Sequence, residues 1–449
     1  MNEWAQQEAL GKSTIPAVLI HALSPNQNAA VVALHFVAMY LELSVYSVDS
    51  LIVPYAGSTL LAVVGGFLNR SAIKSVHVTI IGLFFLAVPM IAIVPTITGR
   101  VFIVEFLKSY AQLITAMVSA YCMFIIIILS SREKLIQYFS IILAVIVVGS
   151  FFERFDAVRE ISDAFREFLY PKNLLYSADI RDVASYGAVR PRFFAREPSV
   201  VGIGAGILIA TIFLLLRTRF VFKVGGALIV SLICMVVMRS PTIIFFTAAV
   251  FYGALALRPG ERGKYSWLAG VGMVVGLLAM SFLLVYGTGL SGLSTRSILG
   301  GGSYVLRVFG PPLIWLESLR DNFLFGLGLG SFDALLPLAR KAYGSYDIIA
   351  LFPYIRTQRD GAFLISNAFW EYWIFFGVLG GTVLVILLAR LFRVFGIQRL
   401  AFPFVAWLLA LQTFGGVSAY RPWYILFTFA AVAFVAQKSW AGDRSARAA

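Results

Sequence analysis

Charge is scarce in this chain. Aspartate, glutamate, lysine and arginine supply only 13% of its 449 residues, about half the share found in soluble domains. Such a chain cannot clothe a water-facing globule, which excludes an ordinary soluble protein. Cysteine and histidine are nearly missing as well, at two and three residues. Cys122 and Cys234 lie inside apolar runs, where cysteine acts as a small packing residue. No Cys/His cluster has metal-ligand spacing, so no metal is expected. His21, His35 and His77 fall on the inner side or in early spans of the layout below, which leaves no histidine outside as a general base. Neither long loop holds an Asp-x-Asp pair. Met1–Asn28 has no cleavable-signal pattern, so the first span reads as a retained anchor.

What is abundant is grease. Hydrophobic residues make up 60% of the chain and mean hydropathy is +0.88, against roughly 45–50% apolar residues in soluble proteins. The pattern predicts an all-α polytopic integral membrane protein. At about 20 apolar residues per crossing, twelve spans fit, near 29–48, 51–68, 76–95, 111–129, 135–152, 199–216, 220–238, 241–257, 267–285, 366–388, 402–420 and 423–437. They form one transmembrane domain over 29–437, between an N-terminal segment 1–28 and a tail 438–449. Lys12, Arg70, Lys74, Arg132, Lys134 and Arg217 fall on one side, and the later basic loops continue this without a break. By the positive-inside rule that side is cytoplasmic, as are both termini. These loops also account for about half the basic residues behind the net charge of +14, so no nucleic-acid partner is expected.

The remaining nineteen basic residues face outward, and sixteen of them are arginine. Arginine is the residue that best grips phosphate, through its planar fork of donors. Two outward segments are long, about 153–198 and 286–365. The first opens on Phe152, Phe155, Val158, Ile161, Phe165, Phe168 and Leu169 at three-to-four spacing, which predicts an amphipathic helix in the membrane interface. The second is too aromatic for disorder and should fold back as a cap. Gly326-Leu-Gly-Leu-Gly330 lacks the strand–turn–helix frame of a nucleotide loop and reads as a tight turn. Gly202/Gly204/Gly206, Gly272/Gly276 and Gly377/Gly381 read as close helix packing. Glu42, within the first span, is a candidate simply because carboxylates there are costly.

Arg192 and Arg196 immediately precede Glu197-Pro198-Ser199 and the sixth span. Arg239-Ser-Pro-Thr242 forms a whole outer turn, Arg307 sits in the second loop, and Arg421 marks the last outer turn. These separate chain regions thus bring arginine to one face, where a diphosphate would need several fixed guanidinium groups. Asn367 and Glu371 lie one helical turn apart at the start of span ten. With Glu197 and Asp360 they are the polar candidates for proton transfer, each also readable as an ion-pair or structural residue.

Arg192-Phe-Phe-Ala-Arg-Glu-Pro-Ser199, the Arg239-Ser-Pro-Thr turn, and Arg307, Trp315 and Gly326–Phe332 followed by Ser366-Asn-Ala-Phe-Trp-Glu371 and Gly377-Val-Leu-Gly380 together resemble the O-antigen polymerase and O-antigen ligase family. The likeness covers about residues 190–385; the first 150 residues share only their spans. It implies a GT-C-like membrane glycosyltransferase in the bacterial inner membrane. Such an enzyme moves glycan from an undecaprenyl-diphosphate-linked oligosaccharide to an acceptor hydroxyl, without nucleotide sugar, cofactor or metal. It also implies membrane lipids and a chain-length regulator protein as partners. The family's outer arginines map onto Arg239 and Arg307, with Arg196 a third. Ser366 stands where ligases commonly carry histidine, which favours a polymerase of lipid-linked repeats over a ligase. A flippase for an anionic lipid-linked substrate is the reading of another class, but no internal repeat and no run of mid-membrane charge supports it.

Overall fold

A computed structural model describes residues 22–47, 50–172, 175–258, 268–272, 275–276, 306–307, 310–345, 354–357 and 361–448. The described residues are helical apart from one short hairpin, Val45–Ser47 (β1) with Ser50–Val53 (β2). Among the described residues six helices are long and apolar enough to cross a membrane: Ser75–Ile97 (α3), Ile103–Leu129 (α4), Arg132–Phe152 (α5), Pro198–Leu215 (α8), Phe220–Met238 (α9) and Ala368–Val394 (α13). They make this a helical, membrane-embedded protein. Ala56–Leu68 (α2), Ile243–Ala256 (α10) and Ala401–Leu411 (α14) are apolar but shorter. Pro25–Tyr40 (α1) and Tyr420–Ala448 (α15) complete the bundle.

Helix α8 is its axis, buried along nearly its whole length and packed by α1, α5, α9, α10 and α15. Its lack of side chains at Gly202, Gly204 and Gly206 admits Ser240, Tyr40 and Phe246, as close helix packing requires. At one end of the bundle Arg132 donates to the carbonyl of Leu215, and Lys223 Nζ donates to that of Leu214 at 3.2 Å. Two cations thereby satisfy the orphan carbonyls and the negative dipole end of α8. Arg154, Arg196, Arg239 and Arg421 are at the other end, so these residues separate as the alternating charge predicts.

Several expected spans are shorter than predicted. The span 29–48 stops at Tyr40 and 51–68 begins only at Ala56, because Glu42 and Tyr55 take left-handed backbone (φ 46° and 54°) around the hairpin. The span 402–420 ends at Leu411, where residues 412–419 leave the helix to meet the Glu371 carboxylate. The span 267–285 lies mostly outside the described residues.

Between α5 and α8 stand Asp156–Leu169 (α6) and Asp179–Tyr186 (α7). Helix α6 is amphipathic as expected, but it is its polar face that grips the protein. Ser162 and Arg166 are buried while Ile161 and Phe168 are exposed, Phe168 by 87%. In the second long segment Gly310–Asn322 (α11) and Phe332–Ser345 (α12) pack on each other, and α11 folds back onto α13.

The glycine run between α11 and α12 is the expected turn, with Gly326, Gly328 and Gly330 all at positive φ. It docks on a break in α13. Leu327 and Gly328 amides donate to the carbonyls of Ile374 and Phe375, both at 2.9 Å. Gly377 is therefore a helix interruption (φ 66°), correcting its reading as a packing glycine: a Cβ there would meet the Gly326 nitrogen at 2.4 Å. Gly381 does pack, against Trp373 and Tyr372, while among the described residues nothing lies within 4 Å of a Cβ at Gly272 or Gly276.

Candidate anion site at one end of the bundle

Five non-glycine residues have positive φ among the described residues: Glu42, Tyr55, Phe193, Phe194 and Arg239. All five lie at the arginine-bearing end. Left-handed backbone in ordinary residues is costly and gathers at functional sites.

Glu42 is the centre. Its left-handed turn follows α1 directly, pinned by its amide to the Met39 carbonyl (3.1 Å) and by Ser44 Oγ, which donates to the Glu42 carbonyl (2.8 Å). Ser44 Oγ also accepts the Tyr55 amide at 2.9 Å, closing the hairpin. The carboxylate, on a residue only 4% exposed, then meets three partners. Arg421 Nη2 is 2.6 Å from Oε1, Arg196 Nε is 3.0 Å from Oε2, and Tyr55 OH donates to Oε1 at 3.1 Å. Both arginine contacts are charge contacts off the hydrogen-bonding direction, so among the described residues Glu42 Oε2 and Arg421 Nη2 have no aligned partner. Arg421 also sits over the Tyr55 ring at 5.5 Å.

Arg196 is placed by α6. Arg166 donates from Nε to the Ala195 carbonyl at 3.0 Å and from Nη2 to the Arg196 carbonyl at 3.1 Å. Ser162 Oγ accepts the Phe194 amide at 3.1 Å, and Glu153 Oε2 accepts those of Arg192 and Phe193, both at 2.7 Å. Next in sequence, Glu197 caps α8 and accepts from Ser199 Oγ at 2.5 Å. Burial alone would raise the Glu197 pKa. The Ser199 hydrogen bond and the charges of Arg196, Arg307 and Arg421 outweigh that and hold it below the ordinary carboxyl value. Burial likewise works against the Arg196 charge, but Glu42, Glu197 and Tyr55 push its pKa up.

Three sequence-distant arginines, 196, 307 and 421, therefore share one electrostatic neighbourhood with two carboxylates, a net excess of positive charge. Arg239 caps α9 in left-handed conformation, and its turn is seated one helical turn along α8: Ser240 Oγ would lie 2.0 Å from a Cβ at Gly202. Helices α8 and α15 begin at this cluster, adding positive dipole ends.

The other expected site residues have different tasks. Asn367 caps α13 and turns its amide to the Arg307 carbonyl (2.5 Å) and Gln412 Oε1 (2.7 Å). Glu371, buried at 2% exposure, accepts the Gly416 and Val417 amides at 2.6 and 3.1 Å. Asn367 is thus committed to the Arg307 backbone and Gln412, and Glu371 to backbone amides, and they position Arg307 and the loop leading to Arg421. Arg192 is bound by Asp163 and Asp179 and stacks over Tyr176, apart from Glu42. Asp360 lies outside the described residues. Sequence reading missed Tyr55, whose only signal was the Pro54-Tyr55 pair at the head of an expected span. No group of three or more Cys, His, Asp or Glu suited to a metal occurs among the described residues. Comparison with protein-family models, curated proteins and solved structures gives no match.

Proposed function

We propose that this end of the bundle binds the diphosphate of a lipid-linked glycan, and that the protein is a membrane glycosyltransferase polymerising undecaprenyl-diphosphate-linked oligosaccharide repeats. In this reading about twelve spans cross the bacterial inner membrane in a GT-C-like arrangement, with the arginine end on the periplasmic side. The observation that carries it is the gathering of Arg196, Arg307 and Arg421 around Glu42 and Glu197. An acceptor hydroxyl attacks the anomeric carbon, the bond to the diphosphate oxygen breaks, and negative charge grows on that leaving group. Preorganised guanidinium groups meet such charge without reorganising. Glu42 keeps them in place and charged while no anion is present. Ser366 at the ligase histidine position supports the polymerase over the ligase; its amide pairs with the Leu306 carbonyl at 3.0 Å, beside Arg307.

The test is a glycan length ladder from cells lacking the gene, complemented with wild type, Arg239→Ala or Arg307→Ala at matched protein levels. Single repeats on the acceptor in the deletion strain, with no ladder restored by either variant, support the proposal. Long chains accumulating on the polyprenyl carrier would mark a ligase. A normal ladder with either arginine removed would sink the diphosphate site.

A further inference from the structure

Beside the arginine cluster a cleft of about 860 Å³ opens between α4, the turn from the hairpin into α2, the glycine turn and the loop before α15. Tyr55 and Tyr420 form the wall it shares with the Glu42–Arg421 pair, their rings 5.9 Å apart. The opposite wall comes from α4, a helix of membrane-crossing length. There Glu105, Lys108, Ser109, Gln112 and Thr115 recur at spacings of three and four and so share one face. Polar groups on such a helix avoid lipid and face protein or water. Gln112 Oε1 accepts from Ser418 Oγ at 3.4 Å, joining this stripe to the loop that carries Arg421. Gly330 brings the turn against the Ser109 hydroxyl, leaving Phe332 on the floor.

We infer that this cleft seats the glycan of the lipid-linked substrate, with its sugars lying along the α4 stripe and against Tyr55, Tyr420 and Phe332. The inference rests on the proposed diphosphate site and extends it. The charge balance separates the two: Lys108 shares the cleft lining with Glu105 and Asp333, so an anion belongs with the arginines and a hydroxyl-rich group belongs here. The lining matches that chemistry, with hydroxyls and an amide to exchange hydrogen bonds and rings to cover the apolar faces of sugars. An isoprenoid tail would lay apolar surface against the charged groups of Glu105, Lys108 and Asp333. The volume lies within the roughly 300–1,000 Å³ typical of small-molecule sites, which suits one repeat unit and not a long polymer.

The protein in lipid nanodiscs is titrated with two probes: undecaprenyl diphosphate without sugar, and the undecaprenyl-diphosphate oligosaccharide extracted from the source cells. Wild type should hold the glycosylated lipid about tenfold tighter, the yield of one or two net hydrogen bonds. Gln112→Leu removes the central donor and acceptor, and Thr115→Trp fills the cleft from an exposed position that tolerates substitution. In both, the preference should fall to near unity while the sugar-free lipid binds as before. A preference kept in both variants overturns the inference. So does an equal loss for both lipids, which would make the cleft a tail groove. Failure of the diphosphate reading looks different: sugar-free lipid would not bind wild type, and Arg307→Ala would change neither titration. A glycan contribution still abolished by Thr115→Trp would then uphold the cleft alone, and binding of neither lipid would refute both.

Discussion

Replacing Glu42 by glutamine tests the centre of the cluster with little change of shape. The amide can still accept from Tyr55, so that hydrogen bond survives. What goes is the negative charge facing two guanidinium groups. Arg421, with its side chain 10% exposed, is left buried with its counter-ion removed, and breaking a buried pair in this way costs about 3–5 kcal/mol. Arg196, 31% exposed, keeps access to water, and its share is about 0–1 kcal/mol. The expected loss is therefore about 3–6 kcal/mol, carried mainly by Arg421. At ~2 °C per kcal/mol, the lower edge for larger domains, thermal unfolding in detergent should shift down by roughly 6–12 °C. The double variant with Arg421→Met should fall short of the sum of the single changes, since the pair is lost only once. Inorganic pyrophosphate at about 100 times its Kd should return about 2.7 kcal/mol. It should act more strongly on Glu42→Gln than on wild type, where the carboxylate competes for the same arginines. A loss below about 1 kcal/mol, or equal stabilisation of both proteins by pyrophosphate, would refute the reasoning.

Glu371→Ala should strand the buried Gly416 and Val417 amides. A loss of about 2–4 kcal/mol is expected, with faster hydrogen exchange in 412–419 as the local readout. For Glu197 the folded pKa lies below the ordinary 4.5, so its contribution is present above that value and fades as pH falls through the lower folded value. Glu197→Gln should therefore lower stability at neutral pH and flatten its decline below about pH 4.5, and parallel decline in both proteins would count against it. Gly377→Ala places a Cβ on the Gly326 nitrogen at a left-handed position. It should cost more than the ~1–2 kcal/mol of backbone strain alone, and a loss smaller than that strain would argue against the docked break.

Long apolar runs such as 76–95 and 111–129 were legible because twenty greasy residues leave few alternatives. The hairpin was not, since Val45–Val53 is as apolar as the helices around it. Only the left-handed turns at Glu42 and Tyr55 separate the three, and nothing in the residue types announces them. Of the site, the arginines were visible through their outward excess. That Arg196, Arg307 and Arg421 would meet, and that Arg192 would turn to Asp163 and Asp179, depends on how α6 grips residues 192–196. Asn367 and Glu371 looked like candidates for proton transfer because polar residues at the head of a greasy helix attract suspicion. Their backbone partners, forty or more positions away, have no signature in local sequence.

The interruption at Gly377 also sets a length. As one rod, the 27 residues of α13 would measure about 40 Å, more than the ~30 Å of bilayer hydrocarbon. The break leaves residues 368–376 before it and 378–394 after it. The second piece, seventeen residues and about 26 Å, is close to the hydrocarbon thickness by itself. The first nine residues are released from matching the lipid, and within them Glu371 can hold a loop by its carboxylate. One continuous stretch of sequence thus divides into a tie-rod through the membrane and a bracket above it, and three glycines in a distant turn fix the joint between them.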